Sequence, residues 1–437
     1  MTENRSLPVV VVGAGPIGLA AAAHLQARDI PFLVLERGDG PGSAVQEWSH
    51  VRLFSPWSEL VDPAARRLLE ETGWIAADTD SYPTGQDWVE LYLRPLAAAL
   101  GPSVRYGREV TGIARQDRDL VVDSGRDTAS FTVVTSGDGG EQSIGARAVI
   151  DASGTWTVPN PLGGNGLPAL GEHDHSDRVS YRVPDLGLDT VRERYTGKHV
   201  VVAGTGASAK TALIGLSRLP GTRVSWLVRR DDVGDAFGSE DDQLAERGAL
   251  GARARRAAGS DQVTIVTGFR AAAVVPSGYR VDVVASDGRT VTDVDEVLAL
   301  TGFRPDLDFL SEVRLDLDPR LQAPRALAPL IDPNVHSCGS VSPHGVTVLA
   351  QPDEGLYLVG MKSYGRAPSF LALTGFEQVR SVVAAIAGDR AAAEAVELVL
   401  PETGVCGGAG DFDDSPAGTC CGSSTVEAPG LLQIGTR

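Results

Sequence analysis

Cysteine is scarce in this chain and unevenly placed. Only four cysteines occur among 437 residues, and the first of them is Cys338. So few thiols exclude a fold held together by a disulfide framework, and they indicate a reducing compartment. The part of the chain before Cys338 therefore lacks a redox-active cysteine pair.

Basic residues and long apolar runs are scarce as well. The 39 Lys and Arg residues stand against 57 Asp and Glu residues, which gives a formal net charge of −18. A chain this acidic repels phosphate backbones and anionic lipids, so neither nucleic acid nor a membrane surface is an expected partner. The apolar stretch 7–25 is interrupted by Gly13, Gly15, Pro16 and Gly18, and no other segment reaches the ~20 apolar residues of a membrane helix. We expect a cytoplasmic protein without a signal peptide.

The chain is long, has an ordinary apolar content and is rich in glycine. At roughly 100–200 residues per domain, 437 residues allow about two to four domains. A hydrophobic content of 42% with 22% charged residues is typical of a globular protein. The 51 glycines are about 12% of the chain, above the usual ~7%. Two groups of these glycines directly follow apolar runs.

The first group of glycines lies between a predicted strand and a predicted helix. Residues 7–12 form a continuous apolar run rich in valine, which is typical of a strand buried on both faces of a parallel sheet. Gly13, Gly15 and Gly18 follow in the pattern GxGxxG, which permits a tight turn, close approach of a pyrophosphate and close helix packing, in that order. Pro16 suits the first helical turn, where no N–H is needed. The pattern predicts a dinucleotide-binding turn at a helix N-terminus.

A second unit of the same kind begins near residue 199. The predicted strand 199–204 leads into the sequence GTGASA, which also contains Ser208. In it, Gly204 and Gly206 repeat the parts of the first two glycines, and Ala209 replaces the third. The chain therefore contains two predicted dinucleotide-binding units.

The strands that follow the two turns end in opposite charges. Strand 31–36 ends in Glu36, whose carboxylate can accept hydrogen bonds from a ribose and would repel a 2′-phosphate. Strand 222–230 ends in Arg229 and Arg230, and guanidinium groups bind a 2′-phosphate bidentately. This difference predicts NADPH rather than NADH at the second turn; the alternative is a solvated strand end.

Two such units in one chain, with these strand ends, resemble the two-dinucleotide-binding-domain flavoproteins. Within that superfamily the chain is most similar to the class B flavin-containing, Baeyer–Villiger and N-hydroxylating monooxygenases. The resemblance implies an α/β fold in which an FAD-binding Rossmann-like domain, residues 1–162 and 301–400, is interrupted by an NADPH-binding Rossmann-like domain, residues 163–300. Residues 401–437 would form a flexible cysteine-containing tail.

Short segments elsewhere carry the same resemblance. RAVIDASG at 147–154 and DEVLALTGF at 295–303 look like the strand ends where the chain crosses between the two domains, and GLYLVG at 355–360 looks like a late strand of the FAD domain. A helix predicted over 375–388 would direct its positive N-terminus at the flavin and stabilise the reduced form. The resemblance implies further cofactor contacts from Arg37, Trp48, Arg52, Val110, Gly154, Thr301, Gly302 and Gly360.

The expected electron acceptor follows from the missing cysteines. Disulfide reductases of this superfamily hold a cysteine pair against the flavin, and no such pair is present here before Cys338. Oxygen is therefore the expected acceptor. Monooxygenases of this branch carry a motif FxGxxxHS, which this chain matches at Gly171, His175 and Ser176, with Ala169 in place of Phe.

Arg52, Arg366 and Cys338 are the candidate catalytic residues. Arg52 lies in the largely apolar segment 42–57, where a buried guanidinium would need an anionic partner. Arg366 and Cys338 lie in two polar, turn-rich segments that bracket the strand returning to the flavin. A solvated loop is the alternative for both segments.

Cys406, Cys420 and Cys421 form a separate feature near the C-terminus. A vicinal pair with a third thiol suits a soft metal or metalloid, and it could also carry electrons away from the flavin. The pair is similar to the C-terminal pair of mercuric reductases and, more loosely, to flavoproteins associated with arsenic-resistance genes; adventitious cysteines are the alternative. No other metal site is predicted, because residues 173–175 (HDH) offer two histidines without a third ligand.

The sequence therefore predicts an FAD-dependent oxidoreductase that takes hydride from NADPH. It is expected to use molecular oxygen to monooxygenate a small molecule through a flavin hydroperoxide. The alternative is an NADPH-dependent flavin reductase of a thiol, metal or metalloid that uses the C-terminal cysteines, and a third is a non-catalytic flavin-bound sensor. The substrate and the oligomeric state stay open.

Overall fold

The computed structural model describes residues 6–238, 244–335, 344–367 and 370–398. The strands, in chain order, are β1 (Val9–Val12), β2 (Phe32–Leu35), β3 (Val104–Arg105), β4 (Glu109–Arg115), β5 (Phe131–Ser136), β6 (Gln142–Ala146), β7 (Ala148–Asp151), β8 (Val158–Pro159), β9 (Val179–Ser180), β10 (His199–Ala203), β11 (Arg223–Leu227), β12 (Val263–Val266), β13 (Ala271–Ser277), β14 (Arg280–Ala285), β15 (Thr290–Val294), β16 (Glu296–Ala299), β17 (Phe303–Arg304) and β18 (Leu356–Leu358).

Helices cover the sheets and connect the strands. A π-helical segment, Val89–Leu93, joins α4 to α5, so the helix predicted over 86–100 is continuous, with a wider turn of i→i+5 hydrogen bonds in its middle. The helices are α1 (Pro16–Gln26), α2 (Ser43–Gln46), α3 (Pro63–Glu70), α4 (Gly85–Trp88), α5 (Arg94–Leu100), α6 (Asp189–Tyr195), α7 (Ala207–Leu216), α8 (Ala245–Ala258), α9 (Ala328–Ile331), α10 (Val346–Leu349), α11 (Ala372–Ala387) and α12 (Arg390–Glu394).

The first parallel sheet has the strand order β18-β7-β1-β2-β3. Its central strands β1 and β7 are buried along their whole length, which explains their valine- and isoleucine-rich sequences. In the register of the sheet, Asp151 pairs with Val12 on one side and with Leu358 on the other. The carboxyl ends of β1, β7 and β18 therefore meet at one edge.

The second parallel sheet has the order β12-β11-β10-β16-β9. Ala203 on β10 pairs with Leu227 on β11 and with Ala299 on β16, so the second glycine turn also follows a central strand. All of its strands fall between β7 and β18 in the chain, which makes this sheet an insertion into the first. This arrangement confirms the predicted fold class; the exact domain boundaries stay a proposal.

The two connections between the sheets lie side by side. Strand β8 on the outgoing connection and β17 on the returning one form a short antiparallel pair, with Pro159 opposite Phe303. Two three-stranded antiparallel sheets, β4-β5-β6 and β13-β14-β15, complete the fold.

One predicted strand is wrong. Residues 120–122 lie in turns rather than in a strand, and Val121 is 84% exposed. These apolar residues suggested a strand, but they belong to the connection between β4 and β5 and do not pack on the core. Among the described residues, no helix is long and apolar enough to cross a membrane.

Candidate functional site

The first glycine turn joins β1 to α1 at the carboxyl edge of the first sheet. Gly13 has a φ of +96°, and a Cβ added there would lie 3.0 Å from the carbonyl oxygen of Ala152. A Cβ added at Gly18 would lie only 1.9 Å from the carbonyl oxygen of Gly13, so helix and turn are in direct contact. A Cβ at Gly15 would meet nothing within 4 Å. The space in front of Gly15 is therefore open to a ligand.

The N-terminus of α1 faces that space. Pro16 occupies the first helical turn, and Gly15 is the N-cap residue, without a side-chain cap. The uncapped N–H groups and the positive end of the helix dipole suit a pyrophosphate. This turn fits an FAD diphosphate by the shape of its backbone and the chemistry of its donors.

Glu36 holds the first turn in place. Its side chain is buried; Oε2 accepts a hydrogen bond from the Ala14 N–H at 2.8 Å, and Oε1 accepts one from the Gly38 N–H at 2.8 Å. A carboxylate has about four acceptor sites, so both oxygens keep capacity for ribose hydroxyls. The predicted contact with a ribose is therefore compatible with the structure.

The second glycine turn repeats this geometry between β10 and α7. Gly204 has a φ of +117°, and an added Cβ would lie 2.2 Å from the carbonyl oxygen of Leu300. Gly206 again has open space in front of it, and Ala209 is fully buried against the strand. The indole of buried Trp226 donates a hydrogen bond to the Gly204 carbonyl at 2.7 Å. Sequence reasoning missed Trp226, because nothing in its spacing links it to the turn.

Three arginines come together beyond this turn. Arg229 and Arg230 follow β11, and Arg270 comes from the connection between β12 and β13. Desolvation, and then the positive charges of Arg230 and Arg270, lower the pKa of the Arg229 guanidinium. Guanidinium groups bind phosphates bidentately, so the predicted contact with a 2′-phosphate is compatible with this position. Arg270 was not among the residues predicted from the sequence.

The two connections between the sheets are tied together by Asn160. Gly154, with a φ of +70°, follows β7, and Gly302, with a φ of +92°, follows β16. The side-chain amide of Asn160 donates a hydrogen bond to the backbone carbonyl of Thr301 at 3.1 Å. The backbone carbonyl of Asn160 accepts a hydrogen bond from the Thr301 hydroxyl at 2.8 Å. The predicted residues Thr301 and Gly302 therefore lie at one junction, and Gly154 lies on the outgoing connection that leads to it.

Aromatic residues and an ion pair lie beside this junction. The rings of Trp156 and Phe303 are 4.6 Å apart, and the guanidinium of Arg182 lies 3.9 Å from the Trp156 ring centre. Arg182 also pairs with Glu47 at 3.3 Å, which connects the second sheet to the helix α2 region. Trp156 Nε1 and Arg182 Nη1 are buried without a hydrogen-bond partner among the described residues. Buried donors are normally paired, so these two indicate a place for an acceptor group of a ligand.

The turn after β18 faces the same edge of the first sheet. Gly360, with a φ of +67°, donates its N–H to Oε1 of buried Gln378 on α11 at 2.7 Å. A Cβ added at Gly375 would lie 2.4 Å from Cδ1 of Ile17, so the first turns of α11 and α1 are packed together. The expected helix therefore begins beside the first glycine turn.

Two of the candidate catalytic residues, Arg52 and Arg366, lie in the described part of the chain. The expected burial of Arg52 is wrong: its side chain is exposed and its backbone forms an isolated bridge with Thr84, so solvent can satisfy its charge. Arg366 is also exposed and donates to Oε1 of Gln322 at 2.9 Å. Cys338 lies outside the described residues, as do Cys406, Cys420 and Cys421.

The remaining predicted cofactor contacts occupy mixed environments. Trp48 is half-buried, and its ring lies 2.9 Å from the position of a Cβ added at Gly85, so it packs against that turn. Arg37 is exposed directly after Glu36, and Ser208 is exposed in the first turn of α7. Val110 is buried at the start of β4. Contacts of these residues with a cofactor stay predictions.

The segment that resembles the monooxygenase motif is a compact turn. Gly171 has a φ of +78°, and the side chain of the next residue, Glu172, is buried. Glu172 accepts hydrogen bonds from the Leu162 and Ala169 N–H groups and from the hydroxyl of Tyr181, at 2.9, 2.7 and 2.6 Å. Desolvation and the Glu172 carboxylate raise the pKa of Tyr181. No group of three side chains suited to a metal occurs here or elsewhere in the described part of the chain.

Comparison with known proteins identifies the family. A model of the pyridine nucleotide-disulphide oxidoreductase family matches residues 10–325. The chain belongs to this family, which confirms the expected class of protein, an NADPH-dependent flavoprotein oxidoreductase with FAD and NADPH as cofactors.

Individual relatives differ in what they do. Over 222 residues the chain is 31% identical to an indole-3-pyruvate monooxygenase (YUCCA1) of Oryza sativa subsp. japonica, covering 50% of this chain and 47% of the rice protein. It is 27% identical over 307 residues to ferredoxin–NADP reductase 1 of Cupriavidus necator, covering 69% of this chain and 72% of that protein. The chain thus spans about half the length of the plant monooxygenases it matches.

Solved structures show the same fold. The bacillithiol disulfide reductase of Bacillus cereus superposes with a TM-score of 0.63 at 20% identity, covering 87% of this chain and 99% of that protein. At this level of identity the similarity concerns the fold alone.

Proposed function

We propose that this protein takes hydride from NADPH and transfers one atom of molecular oxygen to a small-molecule substrate. The net reaction consumes NADPH, a proton, oxygen and substrate, and it yields NADP⁺, water and the oxygenated product. One observation carries the proposal: two glycine turns with opposite charges beyond them lie in a chain that has no cysteine before Cys338. Electrons taken from NADPH therefore have no cysteine pair to reach in residues 1–337.

The chain's own residues supply binding and orientation. The N-termini of α1 and α7 would hold the two pyrophosphates, Glu36 a ribose of FAD, and Arg229 with Arg230 the 2′-phosphate of NADPH. When bound, FAD supplies hydride acceptance and the reaction with oxygen. The buried donors Trp156 Nε1 and Arg182 Nη1 would then orient an acceptor group of the substrate or of the nicotinamide.

The relatives support both the use of a nicotinamide dinucleotide and the oxygenation of a small molecule. The rice relative is a monooxygenase of indole-3-pyruvate and the bacterial relative is a reductase that uses NADP. The first is named for the oxygenation of a small molecule and the second for electron transfer with NADP. The acceptor is therefore the point that an experiment must decide.

The second candidate is a reductase of a thiol, metal or metalloid. It is favoured by the vicinal pair Cys420 and Cys421 in the sequence, because neighbouring thiolates bind soft ions and exchange disulfides. In that case the electrons leave through the C-terminal cysteines and oxygen is not consumed.

The experiment compares electron balance in the full-length protein and in a Cys420→Ser/Cys421→Ser variant. NADPH oxidation, oxygen uptake and hydrogen peroxide release are measured with a panel of carbonyl, amine and sulfide substrates in ¹⁸O₂. A monooxygenase incorporates ¹⁸O into product and releases less peroxide than the NADPH it consumes, in both proteins. Anaerobic reduction of a disulfide or a soft metal ion that is lost in the variant would instead establish the reductase.

A further inference from the structure

Three polar side chains form a closed cluster inside the first domain. Lys362, one of only three lysines in the chain, is fully buried, and so is Asp151. Lys362 Nζ lies 2.6 Å from Oδ2 of Asp151 and donates a hydrogen bond to the Ser153 hydroxyl at 3.0 Å. That hydroxyl in turn donates to Oδ1 of Asp151 at 2.6 Å, and the Ser153 N–H donates to the same oxygen at 3.0 Å.

The cluster lies at the edge of the sheet that carries the first glycine turn. Asp151 ends β7, and its neighbours in the sheet are Val12, which precedes Gly13, and Leu358, which precedes Gly360 by two residues. Lys362 belongs to the 3₁₀ turn that begins at Gly360. The ion pair therefore connects the turn after β18 to the outgoing connection after β7, directly beside the turn that follows β1.

The surroundings of Lys362 make its charge costly unless it is compensated. Taking an ammonium and a carboxylate out of water costs several kcal/mol for each ion, and only close pairing with further hydrogen bonds offsets this. Besides Asp151 and Ser153, the ammonium lies 4.2 Å from the ring centre of Phe309. A pair of apolar side chains of similar size would avoid this desolvation cost. The presence of two charges here therefore indicates a role other than stabilising the fold.

We propose that Lys362 is a positioning residue for FAD, which fixes the Gly360 turn against Ser153 and adds, together with Asp151, a fixed local charge pair beside the flavin. This inference rests on the proposed FAD site of the first domain. Removing the positive charge of Lys362 makes the electrostatic potential at the flavin more negative, and removing the negative charge of Asp151 makes it more positive. The sign of each change is the same for any position of the flavin ring at this edge of the sheet.

The test uses the purified holoenzyme and compares Lys362→Met with Lys198→Met. Lys198 is the matched control because it is exposed directly before β10, with its ammonium 3.9 Å from Oδ1 of Asp295. We expect Lys362→Met to bind FAD about tenfold more weakly in a fluorescence titration of the apoprotein, the loss that corresponds to ~1.4 kcal/mol. Its bound flavin should have a more negative midpoint potential, because a positive charge stabilises the reduced form.

Asp151→Asn supplies the opposite change. Removal of the negative charge should shift the midpoint potential to a more positive value, whereas damage to the fold would not produce shifts of opposite sign. If either single variant fails to fold, the double variant Asp151→Asn/Lys362→Met, which leaves no charge unpaired, should bind FAD with weakened affinity and a potential between those expected of the two single variants. Wild-type affinity and potential in Lys362→Met or in the double variant, or shifts of the same sign in both single variants, would overturn the inference. A wild-type protein that binds no FAD would instead overturn the proposed function.

Discussion

Arg229 is the side chain on which the proposed preference for NADPH depends most. Its guanidinium is desolvated and lies near two further positive charges, which lower its pKa. A phosphate bound there would accept charge-assisted hydrogen bonds from these guanidinium groups, whereas NADH offers only a hydroxyl at the same position. Selectivity for NADPH would then come from these charged donors and not from the shape of the turn.

We expect Arg229→Ala to raise the KM for NADPH by about tenfold or more and to leave the KM for NADH nearly unchanged. A hydrogen bond to a charged group contributes about 1.5–3 kcal/mol, and ~1.4 kcal/mol corresponds to tenfold. Steady-state kinetics with both dinucleotides measure the difference. The matched control is Arg223→Ala, because Arg223 is exposed at the opposite end of the same strand. Equal losses with NADPH and NADH would contradict this role.

Residues that belong to a known sequence pattern were the predictable ones. Gly13, Gly15 and Glu36 could be assigned because a strand, a glycine turn and a second strand with an acidic end follow one another along the chain. Trp226 and Gln378 could not, because no pattern links either residue to the turn that it supports through one hydrogen bond. Arg52 was misjudged for the converse reason: its neighbours in sequence are apolar, but its side chain is exposed.

At the level of elements, each glycine turn has two kinds of glycine. The first kind lies against the backbone of a neighbouring strand end and has no room for a Cβ, as at Gly204. The second kind touches no protein atom and leaves room for the ligand, as at Gly206. The pattern GxGxxG predicts both kinds from the sequence but does not rank them by their effect on stability.

We therefore expect Gly204→Ala to affect stability and Gly206→Ala to affect NADPH binding. The first variant should be destabilised, because its Cβ would lie 2.2 Å from a backbone oxygen and its φ of +117° is strained for alanine. The second should fold with wild-type stability and lose NADPH affinity, because its Cβ occupies the ligand's space. Thermal unfolding and NADPH titration of both variants check this. Equal stability of the two variants would contradict the assignment.

At the scale of the whole molecule, Asp353 joins segments that are far apart in the chain. Its buried carboxylate lies 2.6 Å from Nη2 of Arg126 and 3.2 Å from Nε of Arg115, and it accepts the Arg314 N–H at 2.7 Å. Desolvation alone would raise the pKa of Asp353, but the hydrogen bonds from these three partners outweigh it and lower the pKa. The cluster holds the sheet β4-β5-β6 against the segment before β18.

Because the pKa of Asp353 is lowered in the folded protein, its contribution to stability is present above the unfolded pKa of ~3.9 and is lost as pH falls through the folded value. We expect Asp353→Asn to lower the free energy of unfolding by about 3–5 kcal/mol at pH 7, because two buried arginines lose their anion. The difference from wild type should shrink near pH 3, in urea unfolding at both pH values.

Asp123→Asn is the control for this prediction. Asp123 is exposed and pairs with Arg314 at 2.7 Å on the surface, so the change should be at most about 1 kcal/mol at either pH. A difference between Asp353→Asn and wild type that stays constant from pH 7 to pH 3 would show that packing, and not charge, accounts for the loss.

The pairing of Pro159 with Phe303 has an evolutionary consequence. Since the chain enters and leaves the nicotinamide-binding half at adjacent points, that half is attached like an inserted domain, with neighbouring ends. Exchange of that half for one with another dinucleotide preference would need two junctions that lie side by side, and it would leave the sheet of the flavin half uninterrupted. The choice of electron donor and the chemistry performed with the electrons can thus change independently of each other.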